Sequence, residues 1–157
     1  MKKFNSFILL LIILVNVTSC GYQLRGSEGM NLESISIDGG SSDFVKVLKK
    51  KFKQSGVKLQ EKNSEKSLEI TSDIFTKKIL SLSATGKVKE YQINYKISFR
   101  FKSQAGEWGN SINIEATRDF TYDDKNIIAK TEEESRIIKG MQKQLIRTIF
   151  TQISVIE

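Results

Sequence analysis

The residue types that most often perform catalysis are scarce in this sequence. Its 157 residues include one cysteine, Cys20, and no histidine, so the most common general base and metal ligand is missing. Serine and lysine are abundant, but no local motif pairs them, and no glycine-rich phosphate loop is present. The acidic pair Asp123–Asp124 is more typical of a turn at the end of a strand. We therefore predict that the chain is not an enzyme and uses neither a metal nor a dissociable cofactor.

The lone cysteine follows a segment with the form of a secretory signal. Lys2 and Lys3 precede the apolar run Phe7–Val15, whose roughly 17 Å of helix is too short for the roughly 30 Å hydrocarbon core of a membrane. The next residues, Val17-Thr18-Ser19-Cys20, resemble the bacterial lipobox. That resemblance implies cleavage before Cys20, a diacylglyceryl group on its thiol and an acyl group on the new amine. We therefore predict a lipoprotein signal peptide at residues 1–19.

The residue after the cysteine and the net charge restrict the partners. Gly21 stands where an aspartate is associated with inner-membrane retention in Gram-negative lipoproteins, so we expect an anchor on the periplasmic side of the outer membrane. The net charge of +7 favours an anionic partner, such as a nucleic acid, an anionic lipid or an acidic protein. A periplasmic location argues against nucleic acid, and a lipidated Cys20 leaves no thiol for a disulfide.

Residues 20–32 are predicted to be a lipidated tether, and residues 33–157 a single domain. The pattern of apolar and polar residues predicts secondary structure in the first half of this domain. Alternating residues predict a strand at Ser34–Asp38. Apolar residues at helical spacing predict a helix at Asp43–Ser55, with Ser42 or Asp43 as its N-cap and Gly56 as its stop. Val57 and Leu59 indicate another short strand or extended segment.

The second half predicts three long strands and a helix. The apolar phase changes within the strand at residues 68–81, which indicates a bulge near Ile74–Phe75. A glycine turn at residues 85–87 leads to an alternating strand at Glu90–Lys102, and another strand at Ile112–Tyr122 carries Arg118 in its apolar phase. A last helix is predicted at residues 130–154, with Thr131 and Glu134 as a capping box.

These elements predict an α+β fold. Both helices have one apolar stripe and the sheet has one apolar face, so the simplest arrangement is a two-layer sandwich. We expect a mostly antiparallel four-stranded sheet with the two helices on one face, the short first strand joining an edge.

Four short motifs, taken together and in this order, are similar to the family of lipopolysaccharide-assembly lipoproteins called LptE or RlpB. They are Cys20-Gly21-Tyr22-Gln23-Leu24-Arg25-Gly26, Thr85-Gly86-Lys87-Val88-Lys89-Glu90-Tyr91-Gln92, Arg118-Asp119-Phe120 and Ile128-Ala129-Lys130. The resemblance covers nearly all of the chain after Cys20. It implies a small sheet with two helices on one face, which agrees with the fold expected from the residue pattern.

The resemblance also implies partners. Members of the family plug the lumen of the LptD outer-membrane β-barrel, help to assemble it and bind lipopolysaccharide for insertion into the outer leaflet. A polar lumen requires a polar plug, and the even-numbered face of Glu90–Lys102 offers such a surface. The alternative is an independent outer-membrane lipoprotein that binds an acidic envelope polymer, such as peptidoglycan, or scaffolds another envelope complex.

The basic lipopolysaccharide-contact positions of the family are matched only in part. Lys130 matches one of them, whereas neutral Ala84 stands at the other. Lys87 and Lys89, just beyond the turn glycine, are candidates to replace the missing charge. We expect these three lysines to gather at one end of the domain and contact phosphates or core sugars. Arg118 is a further candidate, with pairing inside the domain as its alternative.

Overall fold

The computed structural model describes residues 32–60, 66–103 and 106–156. The predicted signal peptide and residues 20–31 of the predicted tether lie outside this part of the chain. The elements, in chain order, are β1 Ser34–Gly39, α1 Ser42–Gln54, β2 Lys58–Leu59, β3 Ser67–Leu82, β4 Val88–Lys102, β5 Ile112–Thr121 and α2 Ile127–Ile156. The sheet has strand order β2-β1-β3-β4-β5.

The sheet is mixed. The predicted α+β class is confirmed, but the predicted four-stranded, mostly antiparallel sheet is wrong, because five strands are present and β1 runs parallel to both β2 and β3. The strands β3, β4 and β5 form an antiparallel meander. The parallel pairing follows from α1, which carries the chain back across the sheet before β2 begins. As a result β1 lies inside the sheet rather than at its edge.

Both helices bury their apolar stripes against the same face of the sheet. Phe44 of α1 contacts the ring of Tyr95 on β4, with centroids 5.8 Å apart, and Phe52 contacts Phe150 of α2 at 4.3 Å. The odd-numbered side chains of β4 lie beneath them, which confirms the predicted alternation. Fully buried side chains of this core include Leu48, Ile93, Ile97, Phe99, Met141, Leu145, Ile149 and Ile153. Burying each of these stabilises the fold by about 1.5–3 kcal/mol.

The start of α1 is one residue earlier than predicted. Ser41, rather than Ser42 or Asp43, is the N-cap, because its extended backbone lets its hydroxyl accept a hydrogen bond from the Phe44 N–H. The predicted stop is confirmed, since the helix ends at Gln54 and Gly56 has a φ of +83°.

The start of α2 is three residues earlier than predicted. The helix begins at Ile127, directly after a 3-10 turn at Asp124–Asn126. The predicted capping box is wrong, because the Thr131 hydroxyl lies inside the helix and donates to the Ile127 carbonyl at 2.9 Å. The capping side chain is that of Asp123, which precedes the 3-10 turn and accepts from the Lys125 N–H at 3.0 Å.

The bulge of β3 is also misplaced by the sequence pattern. The register between β3 and β4 shifts at residues 70–72 and again at residues 79–82, not at Ile74–Phe75. Between these shifts Phe75 lies opposite Tyr95, and Ile74 lies opposite Lys96. Phe75 therefore lies on the helix-covered face of the sheet and Ile74 on the outer face, and both are exposed.

The elements differ in length, and this difference divides the domain. The 16 residues of β3 span about 50 Å and the 30 residues of α2 about 45 Å, whereas the 13 residues of α1 span only about 20 Å. α1 covers the half of the sheet that contains β1 and β2. In the other half α2 lies over the meander with no second helix beside it in the described part of the chain. Lys77 of β3 joins α2 through a 2.6 Å ion pair with Glu134.

Gly39 is required where β1 passes β3. Its φ is +77°, and a Cβ at this position would overlap the backbone carbonyl of Ile70. Gly140, in the middle of α2, has open space around it.

We expect opposite effects from two glycine substitutions. Gly39→Ala should lower the free energy of unfolding by about 1–3 kcal/mol, because it places a side chain in a left-handed conformation against Ile70. Gly140→Ala should raise it by up to about 1 kcal/mol, because alanine favours the helix. Urea unfolding followed by circular dichroism measures both, and equal effects of the two changes would contradict the assigned role of Gly39.

Candidate functional site

The β3–β4 turn and the segment before α2 meet at one end of the sheet, which we call the hairpin end (residues 83–89 and 122–130). The turn closes through Gly86, whose φ is +79° and whose N–H donates to the Ser83 carbonyl at 2.9 Å. The Tyr122 N–H donates to the Lys89 carbonyl at 2.8 Å, which fixes the end of β5 beside the start of β4. The Lys87 ammonium lies 2.6 Å from the Asp124 carboxylate.

The ion pair of Lys87 is exposed to solvent. Its hydrogen bond to Asp124, and then the negative charge of Asp124, raise the pKa of Lys87 above its usual 10.5. Lys87 is therefore cationic at neutral pH. Because solvent screens an exposed pair, Asp124 holds this lysine only weakly, and a stronger anion can compete for it.

Asp123 organises the acidic side of the hairpin end. Its carboxylate accepts hydrogen bonds from the Lys125 N–H and from the Asn126 side-chain amide. These bonds, followed by the positive charges of Lys125 and Lys130, hold the pKa of Asp123 below its ordinary value of 3.8. Lys130 lies in the first turn of α2, which directly follows this segment, so it belongs to the same end of the sheet. Lys130 also forms a 2.8 Å ion pair with Glu133 within α2.

The four predicted ligand contacts fall into two groups. The structure brings Lys87, Lys89 and Lys130 to the hairpin end, and their role in binding stays a prediction. Arg118 lies within β5, opposite Ile93, and its guanidinium donates to Gln144 of α2 at 2.5 Å and to the Thr117 carbonyl at 2.7 Å. Arg118 therefore pairs inside the domain, away from the three lysines.

Apolar side chains at and beside the hairpin end did not emerge from the sequence as functional candidates. Ile128 is 81% exposed, and Ile127 and Leu82 are also exposed. A shallow depression at the start of α2 is lined by Asp124, Lys125, Asn126, Ile127, Ile128, Ala129 and Glu132. The sequence pattern predicts that α2 begins at Lys130, which leaves Ile127 and Ile128 outside the helix. In the structure both residues lie in the first helical turn. The hairpin end thus combines cationic groups with apolar side chains.

The outer face of the sheet is polar. Side chains on β4 form hydrogen bonds across to β5, including Gln92 to Asp119 and Asn94 to Thr117, both at 2.9 Å. Ser98 donates to Asn113 at 2.5 Å. This face has no helix packed on it among residues 32–60, 66–103 and 106–156, so its polar groups are available to a partner.

Two further observations restrict the chemistry of the described ranges. Within them, no group of three or more Cys, His, Asp or Glu side chains is arranged to hold a metal ion. None of the helices in the same ranges is long and apolar enough to span a membrane.

The fold and these surfaces define a small α+β domain that presents cationic and polar faces to other molecules. A model of the LptE family, described as lipopolysaccharide-assembly, matches residues 32–153. The chain therefore belongs to the LptE family of lipopolysaccharide-assembly lipoproteins. A comparison with curated proteins finds no match.

Solved structures share the fold. Lipoprotein B from Nitrosomonas europaea is 28% identical with a TM-score of 0.72, and the match covers 87% of this chain and 92% of that one. Rare lipoprotein B from Shewanella oneidensis is 22% identical with a TM-score of 0.68, covering 78% and 94% of the two chains. A minor lipoprotein from Acinetobacter baumannii is 21% identical with a TM-score of 0.63, covering 78% and 91%.

We expect Asp123 to make stability depend on pH in the acid range. Its pKa is lowered by folding, so its contribution is present above the ordinary value of 3.8 and is lost as the pH falls through the lower folded value. Asp123→Asn should therefore flatten the pH dependence of the free energy of unfolding below about pH 4. Urea unfolding at a series of pH values measures this slope, and parallel curves for the two proteins would contradict the assignment.

Proposed function

We propose that this chain is an outer-membrane lipoprotein that plugs the LptD β-barrel, helps to assemble it and binds lipopolysaccharide for insertion into the outer leaflet. The observation that carries the proposal is the family match, which extends over residues 32–153 and so includes nearly all of the described domain. Each part of the role consists of binding and positioning, and none of them requires a catalytic group.

The polar outer face of the sheet supports the role of a plug. The lumen of a large outer-membrane barrel is lined by polar side chains, so a plug needs donors and acceptors on its surface. Asn94 and Gln92 offer such groups on β4, and Thr117 and Asp119 offer them on β5. A flat hydrogen-bonding face of this kind can dock against a barrel wall without burying unpaired polar atoms.

The predicted acylation of Cys20 would hold the plug at the membrane. Each buried methylene contributes about 0.8 kcal/mol of membrane affinity, so three acyl chains would anchor the chain effectively permanently on the periplasmic side. Cys20 lies outside the described residues. The proposal therefore rests here on the lipobox resemblance and on membership of a family of lipoproteins.

The composition of the hairpin end supports lipopolysaccharide binding. Lipopolysaccharide combines phosphates and acidic sugars with acyl chains. Lys87 and Lys130 supply cations for the phosphates, and exposed Ile127 and Ile128 supply apolar contact area. Asp124 and Glu133 pair with the two lysines when no ligand is bound. The Lys87–Asp124 pair is exposed, so a phosphate can replace that carboxylate, whereas Lys130 is partly buried beside Glu133.

Depletion of the protein from its own cells tests the proposed function directly. We expect lipopolysaccharide to disappear from the cell surface, because the barrel then lacks its plug, and we expect a large β-barrel to co-purify with the tagged chain from solubilised membranes. Surface labelling of lipopolysaccharide measures the first effect. Normal surface lipopolysaccharide, or a chain that purifies without a barrel, would instead favour an independent envelope lipoprotein.

Charge reversal tests the ligand site separately. The triple variant Lys87→Glu, Lys89→Glu and Lys130→Glu should lower the affinity for lipopolysaccharide at least tenfold, because three favourable charges become repulsive. The matched control reverses three exposed lysines of α1, Lys50, Lys51 and Lys53, which lie in the other half of the domain. Binding of fluorescent lipopolysaccharide measures both variants. Unchanged affinity in the first, or equal losses in the two, would exclude the hairpin end as the site.

A further inference from the structure

One side of β3 has no neighbouring strand over much of its length. β1 pairs only with residues 67–70 of β3, and the next contact on that side is the Ser41 N–H, which donates to the Asp73 carboxylate at 3.0 Å. Beyond it, Ile74–Leu82 is paired with β4 on one side and, among the described residues, with no strand on the other. We call this segment the open edge; its nine residues span about 30 Å.

The open edge has charges of the kind that protect edge strands, but one of them is already balanced. Edge strands are normally short, covered, bulged, or interrupted by proline, lysine or an inward-pointing charge. The sequence has no proline, and the register of β3 with β4 is regular up to Ile79 before it shifts at residues 79–82. Lys77 points onto the helix-covered face, where Glu134 balances its charge. Lys78, exposed on the outer face, is therefore the charge that an incoming strand has to accommodate.

Apolar side chains are concentrated along the same segment. Five large apolar residues within these nine are exposed, namely Ile74, Phe75, Ile79, Leu80 and Leu82. Phe75 and Ile79 lie on the helix-covered face and Ile74 on the outer face. A strand added here would therefore bury apolar area on both faces of the sheet while completing its backbone hydrogen bonds.

Charge selects the kind of strand. Lys78 is exposed on the outer face of the open edge, and neutral Gln92 lies opposite it on β4. Lys96 lies one strand further in, with Glu115 of β5 opposite it, so a carboxylate already faces its charge. A carboxylate on the incoming strand would complement Lys78. A second copy of this chain would bring the same lysine and a net charge of +7 to the interface, so it fits less well.

From this arrangement we propose that the open edge accepts an extended segment of a partner protein as a sixth strand. That segment places a carboxylate beside Lys78 on the outer face, and apolar side chains beside Phe75 and Ile79 on the other face. The inference goes beyond the proposed function and does not require that the partner is the barrel.

A synthetic strand tests the proposal with the full chain in detergent. The probe is a fluorescent nine-residue peptide of alternating valine and glutamate, and anisotropy measures its binding. Two analogues carry N-methyl groups, either on every valine or on every glutamate. We expect only one of the two analogues to lose binding at least tenfold, because alternate amides of a strand point toward a given neighbour. Loss by both analogues or by neither would overturn strand addition.

Variants and amide exchange locate the site. Lys78→Glu should weaken peptide binding at least tenfold, whereas Lys143→Glu on the exposed side of α2, with the same charge change, should leave it unaltered. Those amides of residues 74–82 that point away from β4 should exchange more slowly once the peptide is bound. Equal effects of the two variants would overturn the proposal. So would protection of these outward amides in the isolated chain, or protection that depends on protein concentration, because the edge would then be covered by this chain or by a second copy. Since the assay uses no barrel and no lipopolysaccharide, its failure leaves the proposed function standing.

Discussion

The apolar face of β4 is the constraint on which the rest of the fold depends. Its alternate side chains, from Ile93 to Phe101, form a continuous buried row beneath both helices. Such a row must be covered along its whole length, because an apolar side chain left in water does not contribute the free energy that its burial would give. α2 runs beside nearly the full row, while α1 covers only the half near β1. The helix layer is thus two helices wide at one end of the sheet and one helix wide at the other.

The difference in width of the helix layer accounts for where the accessible apolar and cationic side chains lie. The half with two helices buries most of the core. The half with one helix contains the hairpin end and the open edge, where apolar and cationic side chains remain accessible. The outer face of the sheet stays polar because its side chains bond to one another across β4 and β5. The residues that stabilise the fold and the residues that remain accessible to other molecules therefore lie in different parts of one small domain.

The sequence predicted the elements whose pattern is long and regular. β4 alternates over its whole length, and Phe44, Leu48 and Phe52 mark α1 by their spacing. The errors arose where apolar residues are exposed. The apolar phase of β3 does change, at the register shift of residues 70–72, but outward-facing Ile74 continues the earlier phase and so moves the predicted bulge too far along the strand. Ile127 and Ile128 add nothing to the buried stripe of α2, so the sequence pattern does not place them in the helix. Val57 and Leu59 indicate a short strand or extended segment, and β2 is found there, but two residues are too few to predict its parallel pairing with β1. Motif resemblance nominated Lys87, but its pairing with Asp124, 37 residues away, depends on the three-dimensional fold.

The Lys77 contact has a consequence for how α2 is held over the meander. Its ammonium lies 2.6 Å from Glu134, 4.3 Å from the centroid of the Tyr91 ring and 5.4 Å from that of Phe120. Apolar packing resists sliding of a helix only weakly, because it is non-directional, whereas an ion pair above aromatic rings fixes a particular position. Because this pair is largely buried, salt screens it much less than the exposed Lys87–Asp124 pair. Added salt therefore loosens the hairpin end first, while the position of α2 over the single-helix half of the sheet is kept.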